Sequence, residues 1–166
     1  LIPGDLCDVH ITILEEMDHS IRALTPVTMH KFPADEIRNI MENHHRLARA
    51  LFWSTLVDEA VLREWLVNMG TRSAEARLAH IFCEMLIRTR MAGRAEDDNI
   101  EFPLTQAELS ESMGLTQVHI NRVLQKLRHE GLVKLEKKRL TILDWDRLKQ
   151  FSQFDPTYLH CQNVPG

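Results

Sequence analysis

Four side chains on one short helical pattern, Val118, Asn121, Arg122 and Gln125, have the chemistry needed to read base-pair edges. A guanidinium can donate two parallel hydrogen bonds to guanine O6 and N7. A carboxamide can bond adenine twice, and an exposed valine can touch a thymine methyl. At about 100° per residue, Val118, Arg122, Gln125 and His129 share one side, flanked by His119, Asn121 and Lys126. Ile120, Val123, Leu124 and Leu127 make the opposite, buried stripe. Between Thr116 and Arg139 stand seven basic residues (Arg122, Lys126, Arg128, Lys134, Lys137, Lys138, Arg139) against two acids, Glu130 and Glu136. The whole chain has a formal net charge of −4, so this excess is a local patch. A solvated face on a structural helix would be equally polar, and the local charge favours the nucleic-acid reading.

The elements that must position these residues are also marked. Thr105-Gln106-Ala107-Glu108 is a capping box, with Leu104 and Leu109 spaced as a hydrophobic staple. Gly114 supplies a left-handed stop, Thr116 caps the next helix and Gly131 ends it, with Leu132 placed to fold back on Leu127. Two short helices joined through a glycine turn predict a helix-turn-helix. Strand-like runs at 132–136 and 140–143 flank Lys137-Lys138-Arg139, a cationic hairpin suited to phosphate contacts, and 100–103 can add a third strand. The expected product is a winged helix-turn-helix.

From Leu104 through Val133 the sequence resembles the DNA-binding domain of the catabolite activator and fumarate–nitrate regulator (Crp–Fnr) family. The long helical pattern upstream and Gly4-Asp5-Leu6 resemble the rest of that architecture. The resemblance implies a bacterial, cytoplasmic, homodimeric transcription regulator. Its fold would be α+β and mainly α: the end of a β-roll effector domain (1–33), a short helix plus a long dimerisation helix (34–70), and the winged helix-turn-helix (71–166). It places base contacts at Gln117, Val118 and Arg122, with Val118 departing from the acidic residue common there. The expected DNA-binding set is Thr105, Gln106, Thr116, Gln117, Val118, His119, Asn121, Arg122, Gln125, Lys126, Lys137, Lys138 and Arg139. Partners would be double-stranded DNA, a second copy and an unknown small-molecule effector, with RNA polymerase a further candidate. A protein-interaction module built on the same winged helix is the alternative, which the polar face of the second helix disfavours.

Upstream, the pattern predicts a helix over Ala34 to about Glu42 and a longer one over His44 to Met69, ending at Gly70. The longer one is apolar on more than one side, so it needs two partners. Phe52, Leu56, Val57, Ala60 and Val61 are the expected seam with a second copy. Ser73 should cap a helix through Ala92, and Asp144 a last one. About thirty residues precede the first of these helices, fewer than a family β-roll needs, so the front of that roll is expected to be missing from the sequence. In cyclic-nucleotide-binding relatives a Gly-acidic-Leu turn and an Arg-Ser pair hold the ligand. Here the corresponding residues are Gly4, Asp5, His19, Ser20 and Arg22. A mostly neutral histidine is a poor substitute for a cationic fork, which argues against cyclic AMP.

Composition excludes other classes. Hydrophobic residues at 44% and charged residues at 27% are ordinary for a globular chain, and no run approaches a membrane span. Three widely spaced cysteines indicate neither a disulfide framework nor a metal site, and adjacent His44 and His45 diverge by about 100° on a helix. No cofactor is evident. There is no nucleophile elbow, Walker loop, HExxH or dinucleotide fingerprint, so no enzyme is indicated.

Overall fold

The computed structural model describes residues 1–7, 9–14 and 16–161. Helix α1 (Ile11–Leu14) is a single turn, α2 (Ala34–Asn43) follows Pro33, and α3 (His45–Thr71) is the long helix. Then come α4 (Ala74–Met91), β1 (Asn99–Glu101), α5 (Gln106–Met113), α6 (Gln117–His129), β2 (Val133–Glu136), β3 (Arg139–Ile142) and α7 (Trp145–Ser152). A 3-10 turn, Pro156–Leu159, closes the described chain. The antiparallel sheet has the order β1-β3-β2, with Leu140 opposite both Ile100 and Leu135.

The local signals explain most of these bounds. Ser73 accepts the Ala76 amide, and Asp144 that of Arg147. Gly114 (φ +62°) and Gly131 (φ +68°) are both left-handed. After each, the chain folds back: Leu115 N–H donates to Ser110 O (2.9 Å) and Leu132 N–H to Leu127 O (3.0 Å), the Schellman pattern. Gly70 behaves differently. It lies inside α3, and the helix runs one residue further, to Thr71, whose hydroxyl bonds Val67 O. The stop comes from Arg72, which is extended ahead of the Ser73 cap, so no left-handed residue is required.

One core unites the elements from α4 to the C-terminal turn. Leu78, Phe82 and Leu86 of α4 meet Leu109 and Met113 of α5, and the Ile120–Leu127 stripe of α6. Phe82 and Phe102 contact edge-to-face at 5.4 Å. Leu140 and Ile142 bring in the sheet, and Leu148, Phe154 and Leu159 the C-terminal segment. Cys83 is buried here, which pushes its thiol up to about 12.

Two expectations need correction. Among the described residues of 1–33 there is no strand, and α1 is the only helix. Strands require partners for their backbone groups, and here bonds such as Asp5 N–H to Ile2 O and Leu14 N–H to His10 O are local. On α3, Ala60 is only 4% exposed and Val61 packs on the core, so both face this chain's own domain. The uncovered side of α3 carries Phe52 (60% exposed), Leu56, Leu62, Leu66 (74%) and Val67, with Val57 half-buried on its flank.

A buried polar junction joins α3 to α4. Tyr158 donates to Glu84 Oε2 at 2.7 Å, while Trp65 Nε1 (3.4 Å) and Arg88 Nη1 (3.3 Å) approach Oε1. His80, 1% exposed, lies 3.2 Å from the Tyr158 hydroxyl and 3.7 Å from Glu64, which pairs with Arg72 at 2.7 Å. Burial and the Arg72 charge lower the His80 pKa to about 4. Arg77 donates to Met113 O (2.9 Å) at the end of α5 and to Met69 O (3.3 Å) near the end of α3. One cation thus serves two helix C-termini.

Candidate nucleic-acid interface

The N-terminus of α5 is built as the sequence predicts. Thr105 Oγ1 accepts the Glu108 amide at 3.2 Å, and Glu108 Oε2 accepts the Thr105 amide at 2.7 Å. Those bonds hold the Glu108 carboxyl below the usual range, with smaller contributions from Arg22 and Lys138 nearby. The Thr105 hydroxyl also donates to Glu108, so it is committed to the cap. The Thr116 hydroxyl accepts the His119 amide at 3.2 Å and keeps its own proton to give.

Gln117, Val118, His119, Asn121, Arg122 and Gln125 are all exposed on α6, with Val118 at 64%. Gln106, at the first position of α5, accepts from Asn121 Nδ2 at 3.3 Å and so links the two helices across the turn. The wing tip borders the same region. Phe102 N–H bonds Lys138 O at 2.8 Å just before α5, and Lys138 acts on Glu108 in its first turn. Wing tip, α5 N-terminus and the early outer face of α6 are therefore contiguous.

The basic residues divide sharply by partner. Arg128 is bonded to Leu135 O (2.7 Å), Lys134 to Glu136 (3.1 Å) and Lys126 to Glu75 (3.3 Å). Arg139, expected at the tip, is in β3 and pairs with Glu96 and Asn99, both at 2.8 Å. Among the described residues, the Arg122, Lys137 and Lys138 side chains have no hydrogen-bond or ion-pair partner. Lys137 (φ +48°) and Lys138 (φ +60°) are both left-handed, which is a type I′ turn without glycine.

The effector candidates do not form one cradle. Gly4 is left-handed in a tight turn, and Asp5 is held by Arg88 (2.6 Å) and the Ile2 amide (2.8 Å). Arg22 lies instead near Glu108, while His19 pairs with its neighbour Asp18, and Ser20 is exposed. Sequence reasoning missed Glu75, which lines a hollow with Thr116, Val118, His119, Arg122, Val123 and Lys126. It stands 51 residues from its partner, and no local pattern signals that pairing.

A three-helix core with a cationic three-stranded wing defines a winged helix-turn-helix protein. Residues 76–151 match the Crp-like helix-turn-helix domain. A probable transcriptional activator of Rhizobium leguminosarum bv. viciae is 28% identical over 82% of this chain and 57% of that protein. The transcriptional activator protein FnrL of Cereibacter sphaeroides is 26% identical over 78% of this chain and 54% of that protein. The structure of FixK2 from Bradyrhizobium japonicum superposes with a TM-score of 0.62 at 18% identity, over 71% of this chain and 58% of that one. The chain therefore carries a Crp-like helix-turn-helix domain over residues 76–151 and is similar to proteins named as transcriptional activators. It spans little more than half the length of these relatives. Among its described residues, no helix is long and apolar enough to cross a membrane.

Proposed function

We propose that this chain is the DNA-binding and dimerising part of a cytoplasmic, sequence-specific transcription regulator that works as a homodimer on an inverted repeat. The observation that carries this reading is the placement of the three unpartnered cations, Arg122, Lys137 and Lys138, on the α5–α6–wing surface. Arg122, Gln125 and Val118 offer base-edge chemistry, while Gln117 and Asn121 flank them and the two lysines offer phosphate contacts. The apolar side of α3, Phe52 to Val67, supports pairing with a second copy, because water would otherwise cover a helix-long stripe. Residues 1–33 would belong to the effector domain, 34–70 to the dimerisation region and 71–166 to the DNA-binding domain. The effector is a small molecule other than cyclic AMP, since Asp5 is already paired and His19 cannot replace an arginine fork. A titration on mixed-sequence duplex at two salt concentrations tests the DNA reading. Binding that weakens steeply with salt is expected, and salt-independent or absent binding would overturn it.

A further inference from the structure

Glu75 is an acid set at the margin of the surface that carries Arg122, Lys126, Lys137 and Lys138. It sits in the first turn of α4, which Ser73 caps, and its side chain is 28% exposed. Its Oε1 lies 3.3 Å from Lys126 Nζ, and that ammonium stands 6.0 Å from the Phe151 ring. Lys126 is thereby held toward α4 and α7, about 80° around α6 from Val118. Among the described residues, Glu75 is the single acid lining the hollow beside Arg122 and His119.

We propose that Glu75 is a specificity-determining residue that holds down sequence-independent affinity. It neutralises Lys126 and places a carboxylate where the nucleic-acid backbone passes. The inference rests on the DNA reading above. A cation bound by a carboxylate releases no counterion from DNA, so Lys126 adds nothing to non-specific binding while Glu75 is present. Discrimination is the ratio of specific to non-specific affinity, and it rises when the non-specific part falls.

The test compares the parent chain, Glu75→Gln, Lys126→Gln and the double variant, by anisotropy on a selected operator and on a random duplex of equal length. Glu75→Gln should tighten the random duplex about fivefold per subunit at roughly 0.15 M salt and steepen the salt slope by ~0.9. Lys126→Gln alone should weaken both duplexes alike, because it leaves the Glu75 carboxylate unpaired beside the backbone, and the double variant should return to the parent. Three results would overturn the proposal: an unchanged slope in Glu75→Gln, a double variant that keeps the Glu75→Gln gain, or an effect of Glu75→Gln confined to the operator. Failure of the parent itself to bind any duplex would instead remove the DNA reading, and this inference with it.

Discussion

Arg122 and Lys138 should fail in different ways when each is replaced by alanine. Both side chains are exposed and unpartnered among the described residues, so truncation strands no buried group and stability should change by no more than ~0.5 kcal/mol. Any loss of affinity is then a loss at the interface. Arg122 follows Val118 by one turn on the outer face, where a guanidinium can reach guanine O6 and N7. Its removal should cost about 1–3 kcal/mol per half-site, roughly 5- to 150-fold, and only where that base is present. Lys138 sits on the wing and offers a single charge. Its removal should weaken every duplex alike, about fivefold per subunit at roughly 0.15 M salt, and flatten the salt slope by ~0.9. The assay is a pair of salt-dependent titrations, on an operator selected from a random pool and on a scrambled control. The operator should be an inverted repeat with half-sites ~34 Å apart. If Arg122→Ala lost affinity equally on both duplexes, α6 would not be the reading element.

Three further outcomes follow from the fold. His80 has a folded pKa near 4 against about 6.5 unfolded, so the unfolded chain binds the extra proton between those values; stability is full above pH 6.5 and falls by about 3 kcal/mol toward pH 4. Urea midpoints across that range would show it, and an NMR titration of His80 near 6.5 would refute it. Lys138→Gly should stabilise the chain by about 1 kcal/mol, because glycine adopts the left-handed turn without strain, and an unchanged or lower melting temperature would count against the turn. Phe52→Glu with Leu66→Glu should yield monomers in sedimentation, since both lie on the uncovered side of α3, and a persisting dimer would exclude that seam.

Much of the reading region was legible because its signals are local. Thr105 with Glu108, Thr116, and the glycines at 114 and 131 act within one turn of the residues they control. Period then assigned Ile120, Val123, Leu124 and Leu127 to the core. What escaped depends on distant partners. Lys126 reads as an outward cation until Glu75 is placed beside it, and Arg139 as a tip residue until β1 brings Glu96 and Asn99. Ala60 and Val61 could not be told from Phe52 and Leu56 by hydrophobicity, because both sides of α3 are apolar. Glu84 and His80 are polar residues of an ordinary helix, and only their half-buried partners Tyr158, Trp65 and Glu64 explain them. Residues 1–33 have strand-like composition, yet composition cannot supply a neighbouring strand.

The ionic junction at the end of α3 makes the long helix a lever with a welded joint. Arg72 and Glu64 on one side, Glu84 and His80 on the other, and Tyr158 across them brace the joint, since His80 and Glu84 are buried and losing their partners strands a polar group. Arg77 extends that rigidity to the end of α5. In a dimer, a rotation of one long helix against its partner would therefore pass undiminished to the reading head. The distance between the two heads would be set at the seam, so a signal need only shift how two helices cross, without reshaping either head.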